Sequence, residues 1–291
     1  MDLSSKGNQP FVYKDCVLVC NGEVYNYHSL KAMLETDYTF KSGSDCEVLI
    51  PLYHKYGIEI LCKFLDAEFA MVIYDAKKDK ILAARDPMGI RPMFYGYHKE
   101  DGKICFASEA KGLFPLCQEI MPFPPGHYYE DGKFICYNDL SNPKTINNDD
   151  LETIAINLRL KLEKAVEKRL QSDAPIGYLL SGGLDSSLVC AIAARLNDQP
   201  IKTFAIGMDT DPIDLKYAKQ VADYLGTDHT EVIMTKEDLL ENLRDVIFHL
   251  ETYDITTIRA SMAMYLLCKY IHEKTDLKVI LTGEVSDELF G

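Results

Sequence analysis

The stretch IGYLLSGGLDSS, residues 176–187, decides the fold of the second half of the chain. It runs from an apolar segment through a glycine pair into a helical pattern. Glycines at a strand-to-helix junction let backbone N–H groups approach an anion closely, and the helix adds its positive end. The stretch has no lysine of the Walker type G-x-x-x-x-G-K-[ST]. A phosphate site with another source of positive charge is therefore expected here.

Asp185 is the unusual member of this stretch, because a carboxylate repels phosphates unless a divalent cation lies between them. Mg²⁺ is usually held by one or two carboxylates together with phosphate oxygens. A second carboxylate, Asp287, lies in the loop that follows the predicted strand Val279–Leu281. Loops after parallel strands open at the same edge of a sheet, so Asp185 and Asp287 are predicted to share the metal. The alternative for the stretch is an ordinary Gly-Ser turn.

Beyond residue 150 the sequence alternates helical and strand patterns. A long amphipathic helix is predicted over Leu151–Leu170. The strands predicted after it are Ile176–Leu180, Thr203–Ile206, Thr230–Ile233 and Val279–Leu281, and the helices are Ser187–Leu196, Leu215–Leu225, Lys236–Leu250 and Ser261–Glu273. Such alternation predicts an α/β domain with a doubly wound parallel sheet.

Residues 1–137 have a different pattern, in which short strands are separated by turn signals. The predicted strands are Cys16–Val19, Phe69–Tyr74, Lys80–Ala84, Met93–Tyr97 and Ile104–Ala107, and the helices are Tyr27–Leu34 and Cys46–Tyr56, the latter capped by Ser44 or Asp45. This pattern predicts an α+β domain with antiparallel sheets. The polar stretch 138–150 is typical of a linker, which leaves residues 151–291 as the second domain.

Composition and charge argue against several classes of protein. The 291 residues carry a formal net charge of -14 without a long run of Lys or Arg, so the basic footprint of a nucleic-acid-binding protein is absent. No apolar run approaches the roughly 20 residues of a membrane-spanning helix, and the polar start MDLSSKGNQP has no signal core. Scattered cysteines without a C-x-x-C pair indicate buried free thiols in a reducing cytoplasm.

Several motifs together resemble a known family. SGGLDSS is similar to the pyrophosphate loop of the N-type ATP pyrophosphatases, and further stretches are similar to glutamine-hydrolysing asparagine synthetases of the B type. These stretches are NGEVYN at 21–26, GSD at 43–45, RDPMG at 85–89, ASE at 107–109, PPG at 124–126, FAIG at 204–207, ETYDITTIRAS at 251–261 and the loop beginning TGE at 282. They follow the family order over nearly the whole chain, and ETYDITTIRAS is the most specific.

The resemblance implies a ligase that works by two reactions. The first domain would be an Ntn-type glutaminase that releases ammonia. The second would adenylate aspartate with ATP and Mg²⁺, giving β-aspartyl-AMP and pyrophosphate, and ammonia would then displace AMP to give asparagine. The implied partners are small molecules (ATP, aspartate, glutamine or ammonia), with neither nucleic acid nor membrane among them. The oligomeric state is left open, with a homodimer as one candidate.

The resemblance also implies a glutamine site in the first domain. Asn21 and Gly22 would line the oxyanion hole through side-chain and backbone donors. Glu23 and Asp45 would hold the α-ammonium and backbone ends of the substrate. The alternatives are a hairpin turn for Asn21-Gly22 and a plain helix cap for Asp45.

In the second domain the resemblance implies a nucleotide site beside an aspartate site. Glu284 would be the base for the attacking ammonia, and Thr256 and Arg259 would orient aspartate and the acyl phosphate. Helix capping and a surface ion pair are the alternatives for these last two residues. The nucleotide-binding residues implied are Leu179, Ser181, Gly182, Gly183, Asp185, Ser186, Ser187, Ile206, Thr282 and Gly283.

The chain departs from the family pattern in three places. Position 2 is Asp2 rather than the nucleophilic cysteine, and no other cysteine lies near the start, so glutaminase activity is expected to be absent from this chain alone. The first strands, an arginine that grips the glutamine carboxylate and the region after residue 291 are also expected to be missing, as if the sequence were truncated at both ends. Val285 replaces a glycine, which would strain the loop if it needs a positive φ.

Three readings remain open on this basis. The first is a partial sequence of a working synthetase. The second is a short protein without catalysis that binds nucleotide or regulates a full-length synthetase. The third is a different ATP-dependent amide ligase, against which ETYDITTIRAS argues.

Overall fold

The computed structural model describes residues 2, 4–143, 145–210, 212–286 and 289. The chain divides into two compact units, Met1–Asn148 and Asp149–Gly291. Each unit has its own sheets, helices and apolar clusters. Within the described residues, no helix is both long and apolar enough to cross a membrane.

The first unit is built on a six-stranded antiparallel sheet. Its strands, in sheet order, are β1 (Phe11–Tyr13), β2 (Cys16–Val24), β3 (Ala67–Asp75), β4 (Lys80–Arg85), β8 (His127–Glu130) and β9 (Lys133–Cys136). A second sheet has the order β6 (Ile104–Ala107), β5 (Phe94–His98) and β7 (Cys117–Pro122). Alternate residues of β2 are buried, which is the pattern of a strand whose two faces differ in burial.

Apolar layers cover both faces of the six-stranded sheet. Helices α1 (Tyr27–Leu34) and α2 (Leu49–Phe64) pack on one face, where Leu18, Met71 and Leu61 are fully buried. Residues of the three-stranded sheet pack on the other face against Ala70 and Ala83. The predicted antiparallel sheets with helices are confirmed in this unit.

Four strands of the first unit, β1, β7, β8 and β9, were not predicted. They are three to six residues long, so each contains too few residues for a clear two-residue alternation. The predicted helix Cys46–Tyr56 also differs. It begins as a 3₁₀ turn at Asp45–Val48 and continues past Gly57, whose φ of 81° marks a kink, to Phe64.

The second unit has a four-stranded parallel sheet. Its order is β12 (Asp228–Met234), β11 (Lys202–Met208), β10 (Ile176–Leu179) and β13 (Val279–Leu281). The helices are α3 (Leu151–Arg169), α4 (Leu184–Leu196), α5 (Ile213–Leu225), α6 (Lys236–Leu250) and α7 (Ile255–Lys274).

Both faces of this sheet are covered, as the alternating pattern predicts. Tyr178 and Leu180 pack with α3, α4 and α5 on one face, whereas Leu179 and Phe204 pack with α7 on the other. Adjacent residues of β10 thus point to opposite clusters, as in any strand buried on both sides. The prediction of a parallel sheet with helices on both faces is confirmed.

Two helices of the second unit begin earlier than predicted. Helix α4 starts at Leu184 rather than Ser187, so Asp185 and Ser186 belong to its first turn. Helix α7 starts at Ile255 rather than Ser261, because the Asp254 side chain accepts a hydrogen bond from Thr257 N at 2.7 Å. An aspartate in this position satisfies a backbone donor that the helix leaves open.

Candidate functional sites

Two loops of the second unit meet at the carboxyl edge of the sheet. Strand β10 pairs with β13 in parallel, with Tyr178 opposite Leu281. A Cβ atom added to Gly283 would lie 2.8 Å from Ser186 N and 2.9 Å from the carbonyl carbon of Asp185. The loop after β13 therefore packs directly on the first turn of α4, and only a glycine allows this approach.

Gly182 has an equally strict position in the loop after β10. Its φ is 81°, a conformation that residues with a side chain rarely adopt. An added Cβ would also lie 2.5 Å from Ala218 N and 2.6 Å from the carbonyl carbon of Tyr217, both in α5. The positive φ and the close contact with α5 thus each require a glycine at this position. An ordinary Gly-Ser turn would not need the close contact.

The loop between β10 and α4 presents several hydrogen-bond donors. The first helical hydrogen bond runs from Ser187 N to Gly183 O at 3.1 Å, so the three N–H groups of residues 184–186 precede the helical ladder. The hydroxyl groups of Ser181 and Ser186 are hydrogen-bonded to each other, with their oxygens 2.9 Å apart. The buried Ser187 hydroxyl has no partner within the described residues. N–H groups and hydroxyls at a helix N-terminus form a ready-made anion site.

Asp185 lies half-buried in the first turn of α4. It directly precedes Ser186 and Ser187 in the chain, and carboxylate and hydroxyl oxygens are ligands that suit a hard cation like Mg²⁺. Asp287, the second predicted metal ligand, lies outside the described residues. Among the residues that are described, no three His, Cys, Asp or Glu side chains cluster as a metal site.

Leu179 and Ile206 are strand residues near the same edge. Leu179 is buried, and both side chains belong to the apolar cluster that packs on α7. The backbone beside them is ordered by a hydrogen bond from Leu180 N to Phe204 O at 2.9 Å. Their side chains are therefore used for packing, and their contribution to a nucleotide site would come from the backbone, as the resemblance implies.

Thr256 and Arg259 are exposed residues in the first turns of α7. The helix ends just before β13 begins, so it runs antiparallel to the strands and starts on the side of their carboxyl ends. Capping is done by Asp254 rather than Thr256, so the capping alternative is wrong. Within the described ranges Arg259 forms no ion pair, and neither residue is hydrogen-bonded to the two loops.

The loop after β13 contains a strained residue. Val285 has a φ of 75°, as expected if this position requires the conformation of the family glycine. A left-handed φ is a genuine outlier for a β-branched residue and costs about 1–3 kcal/mol. Nearby, Glu284 is exposed, its N–H donates to Thr282 Oγ1 at 3.4 Å, and Ser286 Oγ donates to Gly283 O at 3.0 Å.

In the first unit Asn21 and Gly22 lie inside strand β2, so the hairpin-turn alternative is wrong. Gly22 faces Phe69 across the ladder, and Phe69 uses its own N–H and C=O for hydrogen bonds to Asp86. The backbone groups of Gly22 therefore point to the side of β2 that faces away from β3. On that side the Cys46 thiol donates to Gly22 O at 3.5 Å. This leaves the Gly22 N–H directed to the same open side of β2.

Asp45 is nearly inaccessible, at 3% exposure, and accepts a hydrogen bond from Val24 N at 2.7 Å. The bond joins the 3₁₀ turn to β2, and the cap position is Ser44, so the helix-cap alternative for Asp45 is wrong. Burial, and next the Asp45 carboxylate, raise the pKa of Glu23. Asn21, Glu23 and Asp45 are thus close in space although Asp45 is distant in sequence.

A cavity of about 270 Å³ lies on the Asn21 face of β2. Met93 and Phe106 line it together with Ser108 from the ASE motif. Gln9 also lines it, and its carboxamide bonds both backbone groups of Cys20, at 2.6 and 2.7 Å. The sequence indicated no role for Gln9, because nothing local shows that a side chain will complete the edge of a strand.

Comparison with sequence families assigns both units. Residues 1–126 match the family described as a glutamine amidotransferase domain, and residues 157–291 match the family described as asparagine synthase. The chain is 43% identical over 311 residues to a probable glutamine-hydrolysing asparagine synthetase of Schizosaccharomyces pombe, covering 98% of the chain and 55% of that protein. It is also 43% identical over 304 residues to asparagine synthetase B of Escherichia coli K12, covering 98% and 54%.

The chain spans about half the length of the curated relatives it matches. Among solved structures, an ammonia-dependent NAD synthetase from Campylobacter jejuni aligns at 18% identity with a TM-score of 0.33, covering 49% of this chain and 62% of that one. A glutamine-dependent NAD⁺ synthetase from Acinetobacter baumannii aligns at 17% with a TM-score of 0.35, covering 78% and 36%. Similarity this low adds nothing to the fold described above. The two matched domains and the curated relatives place the chain in the family of glutamine-hydrolysing asparagine synthetases.

Proposed function

We propose that this protein acts in the ATP-dependent amidation of aspartate, with ammonia obtained from glutamine. The observation that carries the proposal is the contact between the two loops of the second unit. Gly283, in the loop that contains Glu284, packs on Asp185 and Ser186 at the start of α4. A phosphate-binding turn and a candidate base thereby share one edge of a parallel sheet, where such sheets bind their ligands.

The donors of the loop after β10 suit a departing pyrophosphate. The N–H groups at the start of α4 and the hydroxyls of Ser181, Ser186 and Ser187 would bind the β- and γ-phosphates. Backbone groups near Leu179 and Ile206, with Thr282 and Gly283, would border the adenosine. Attack of the aspartate side-chain carboxylate on the α-phosphorus would then give β-aspartyl-AMP and release pyrophosphate, in keeping with the resemblance of SGGLDSS to the pyrophosphate loop of the N-type ATP pyrophosphatases.

A metal would complete the charge balance of this site. Asp185 would hold Mg²⁺, with Asp287 as the second proposed ligand. Bound Mg²⁺ supplies positive charge that stabilises the leaving pyrophosphate. The carboxylate of Asp185 then contributes to phosphate binding instead of opposing it, which explains an acidic residue in a loop without a lysine.

The remaining residues of the second unit would act on the acyl group. Arg259, with Thr256, would orient aspartate and the acyl phosphate, since a guanidinium pairs well with both anions. Glu284 would take a proton from the attacking ammonia, and AMP would leave as asparagine forms.

In the first unit, the Gly22 N–H and the Asn21 side chain would stabilise the oxyanion of glutamine hydrolysis, and Glu23 and Asp45 would hold the substrate ammonium.

The direct test is pyrophosphate release from ATP in the presence of aspartate, ammonia and Mg²⁺. We expect release from the wild-type chain and its loss, by at least about a hundredfold, in Asp185→Asn, because removing the metal ligand leaves the phosphate charge uncompensated. Asp245→Asn, a change in an exposed carboxylate of α6, is the matched control and should retain the wild-type rate. Equal rates in both variants would contradict the role of Asp185.

A second candidate function, a nucleotide-binding partner without catalysis, is favoured by Val285. Its left-handed φ strains the loop of Glu284, and a catalytic group displaced by about 1 Å can lose about a hundredfold in rate. The two functions differ in one measurement. A chain that binds ATP tightly but releases no pyrophosphate with aspartate and ammonia is the binding partner.

A further inference from the structure

Glu23 directly faces a second carboxylate, Glu68, across the ladder of β2 and β3. The neighbouring pair Gly22 and Phe69 does not exchange hydrogen bonds, since Phe69 bonds Asp86 instead. Glu23 and Glu68 therefore form a hydrogen-bonded pair, in which Cα atoms lie about 5.5 Å apart and both side chains share one face. Like charges in this arrangement are destabilising unless something compensates them.

Arg91 supplies that compensation. Its guanidinium donates from Nη2 to Glu68 Oε1 at 2.6 Å, and the Glu68 side chain is only 16% exposed. The backbone of Arg91 is held on both sides, because its N–H donates to the buried Asp86 and its C=O accepts from Arg85 Nε at 2.7 Å. The guanidinium therefore starts from a rigid loop and reaches one defined carboxylate.

We propose that Arg91 is a positioning residue of the glutamine site, which holds Glu68 in a neutralised pair so that Glu23 stays ionised for the substrate ammonium. The inference rests on the proposed glutamine site and names residues that the resemblance did not indicate. Glu23 acts on the substrate, whereas Arg91 and Glu68 act through Glu23. Among the described residues, the charged groups facing Glu23 are Asp45 from the 3₁₀ turn, Glu68 from β3 and Arg91 from the loop after β4.

The sign of each substitution follows from these charges. Burial raises the pKa of Glu23 most, Asp45 and Glu68 raise it further, and Arg91 lowers it. In Arg91→Met, Glu68 loses its partner and repels the ionised form of Glu23, so the pKa of Glu23 should rise. In Glu68→Gln the repulsion disappears and the pKa should fall. Each shift is expected to be about one pH unit, as for a like charge next to a partly buried carboxyl.

The experiment follows the Glu23 carboxyl by ¹³C NMR from pH 3 to pH 8 in the full chain, together with the affinity for L-glutamine at each pH. We expect Arg91→Met to move the acid limit of glutamine binding upward and Glu68→Gln to move it downward. Arg91→Lys, which keeps the charge, should stay near wild type. Lys63→Met, which removes the exposed pair Lys63–Glu59, is the matched control and should change nothing.

A purely structural role for Arg91 would alter stability without opposite titration shifts in the two variants. Identical Glu23 titrations in wild type, Arg91→Met and Glu68→Gln would overturn the inference, even if glutamine still binds. If the two variants show the expected shifts but the wild-type chain binds no glutamine, the proposed glutamine site is overturned, and the positioning role with it. Shifts in opposite directions that the glutamine affinity follows would support both.

Discussion

The two units differ in whether their key polar groups have hydrogen-bond partners within the protein. In the first, the carboxylate of Asp86 is 1% exposed and accepts hydrogen bonds from four N–H groups, those of Phe69, Met88, Ile90 and Arg91. In the second, the loop between β10 and α4 has the half-buried Asp185 at its end, N–H groups that precede the helical ladder and a buried Ser187 hydroxyl without a partner in the described ranges. The first arrangement satisfies its own hydrogen bonds, whereas the second leaves donors open for the proposed nucleotide.

This difference separates residues that stabilise the fold from residues that we propose to bind a ligand. A buried acceptor that satisfies several donors stabilises the unit, because each donor would otherwise lose its hydrogen bond on burial. A half-buried carboxylate beside open donors contributes little to folding, and in the proposed function it would determine which ligand binds. Stability and binding should therefore respond to different aspartates.

Asp86→Ala should give the largest loss of stability. Removing the acceptor leaves four N–H groups unpaired, one in β3 and three in the loop after β4, so the free energy of unfolding should fall by about 3 kcal/mol. Hydrogen exchange of peptides from β3 and β4 measures this in the first unit alone. Asp185→Ala, the counterpart in the second unit, should change stability by no more than about 0.5 kcal/mol. Equal losses in both variants would remove the distinction.

ATP with Mg²⁺ should stabilise only the second unit. At a ligand concentration of 100 times Kd, binding adds about 2.7 kcal/mol to the free energy of unfolding. Hydrogen exchange should slow in the first turn of α4 and in the loop after β13, because ATP occupies the open donors there. Peptides from β2 and β3 serve as the internal control. Protection that appears equally in both units, or that persists in Asp185→Asn, would count against this site.

Val285→Gly should stabilise the second unit by a smaller amount. Glycine adopts a φ of 75° without the clash of a β-branched side chain, so we expect a gain of about 1 kcal/mol after its greater chain entropy is counted. Lys14→Gly is the matched change in the first unit, since Lys14 has a φ of 50° but no branched Cβ, and its gain should be less. Chemical denaturation of the two variants gives the comparison, and a loss of stability in Val285→Gly would show that the loop is not strained.

The smallest effect concerns His229. Its Nδ1 lies 2.9 Å from Thr203 Oγ1, its Nε2 is buried without a partner in the described part of the chain, and burial lowers its pKa. The folded state thus binds a proton less readily than the unfolded state, whose histidine titrates near pH 6.5. Stability of the second unit should be full above that pH and fall below it. His229→Asn should flatten this fall, whereas an unchanged pH profile would exclude the histidine as its cause.

Much of the fold follows from local patterns. The alternation of strands and helices after residue 150 predicted the parallel sheet because a helix of ten or more residues repeats its apolar period several times. Helix α6 was predicted with its observed bounds, and Thr235 and Asp238 form a reciprocal cap at its start. The early start of α7 was not predicted, although Asp254 caps it, because residues 255–260 are mostly exposed and give little apolar periodicity.

By itself, the sequence determined that a glycine pair follows a strand, that the residues after the pair include an aspartate and no lysine, and that Val285 stands where the family has glycine. These are properties of neighbouring residues, and backbone sterics and helix capping act over a few residues. Only the tertiary structure decided that Gly283 packs on α4, that Asp45 bonds Val24, and that Glu68 faces Glu23 beside Arg91. Those contacts depend on strand register and on packing between segments far apart in the chain, which no local pattern specifies.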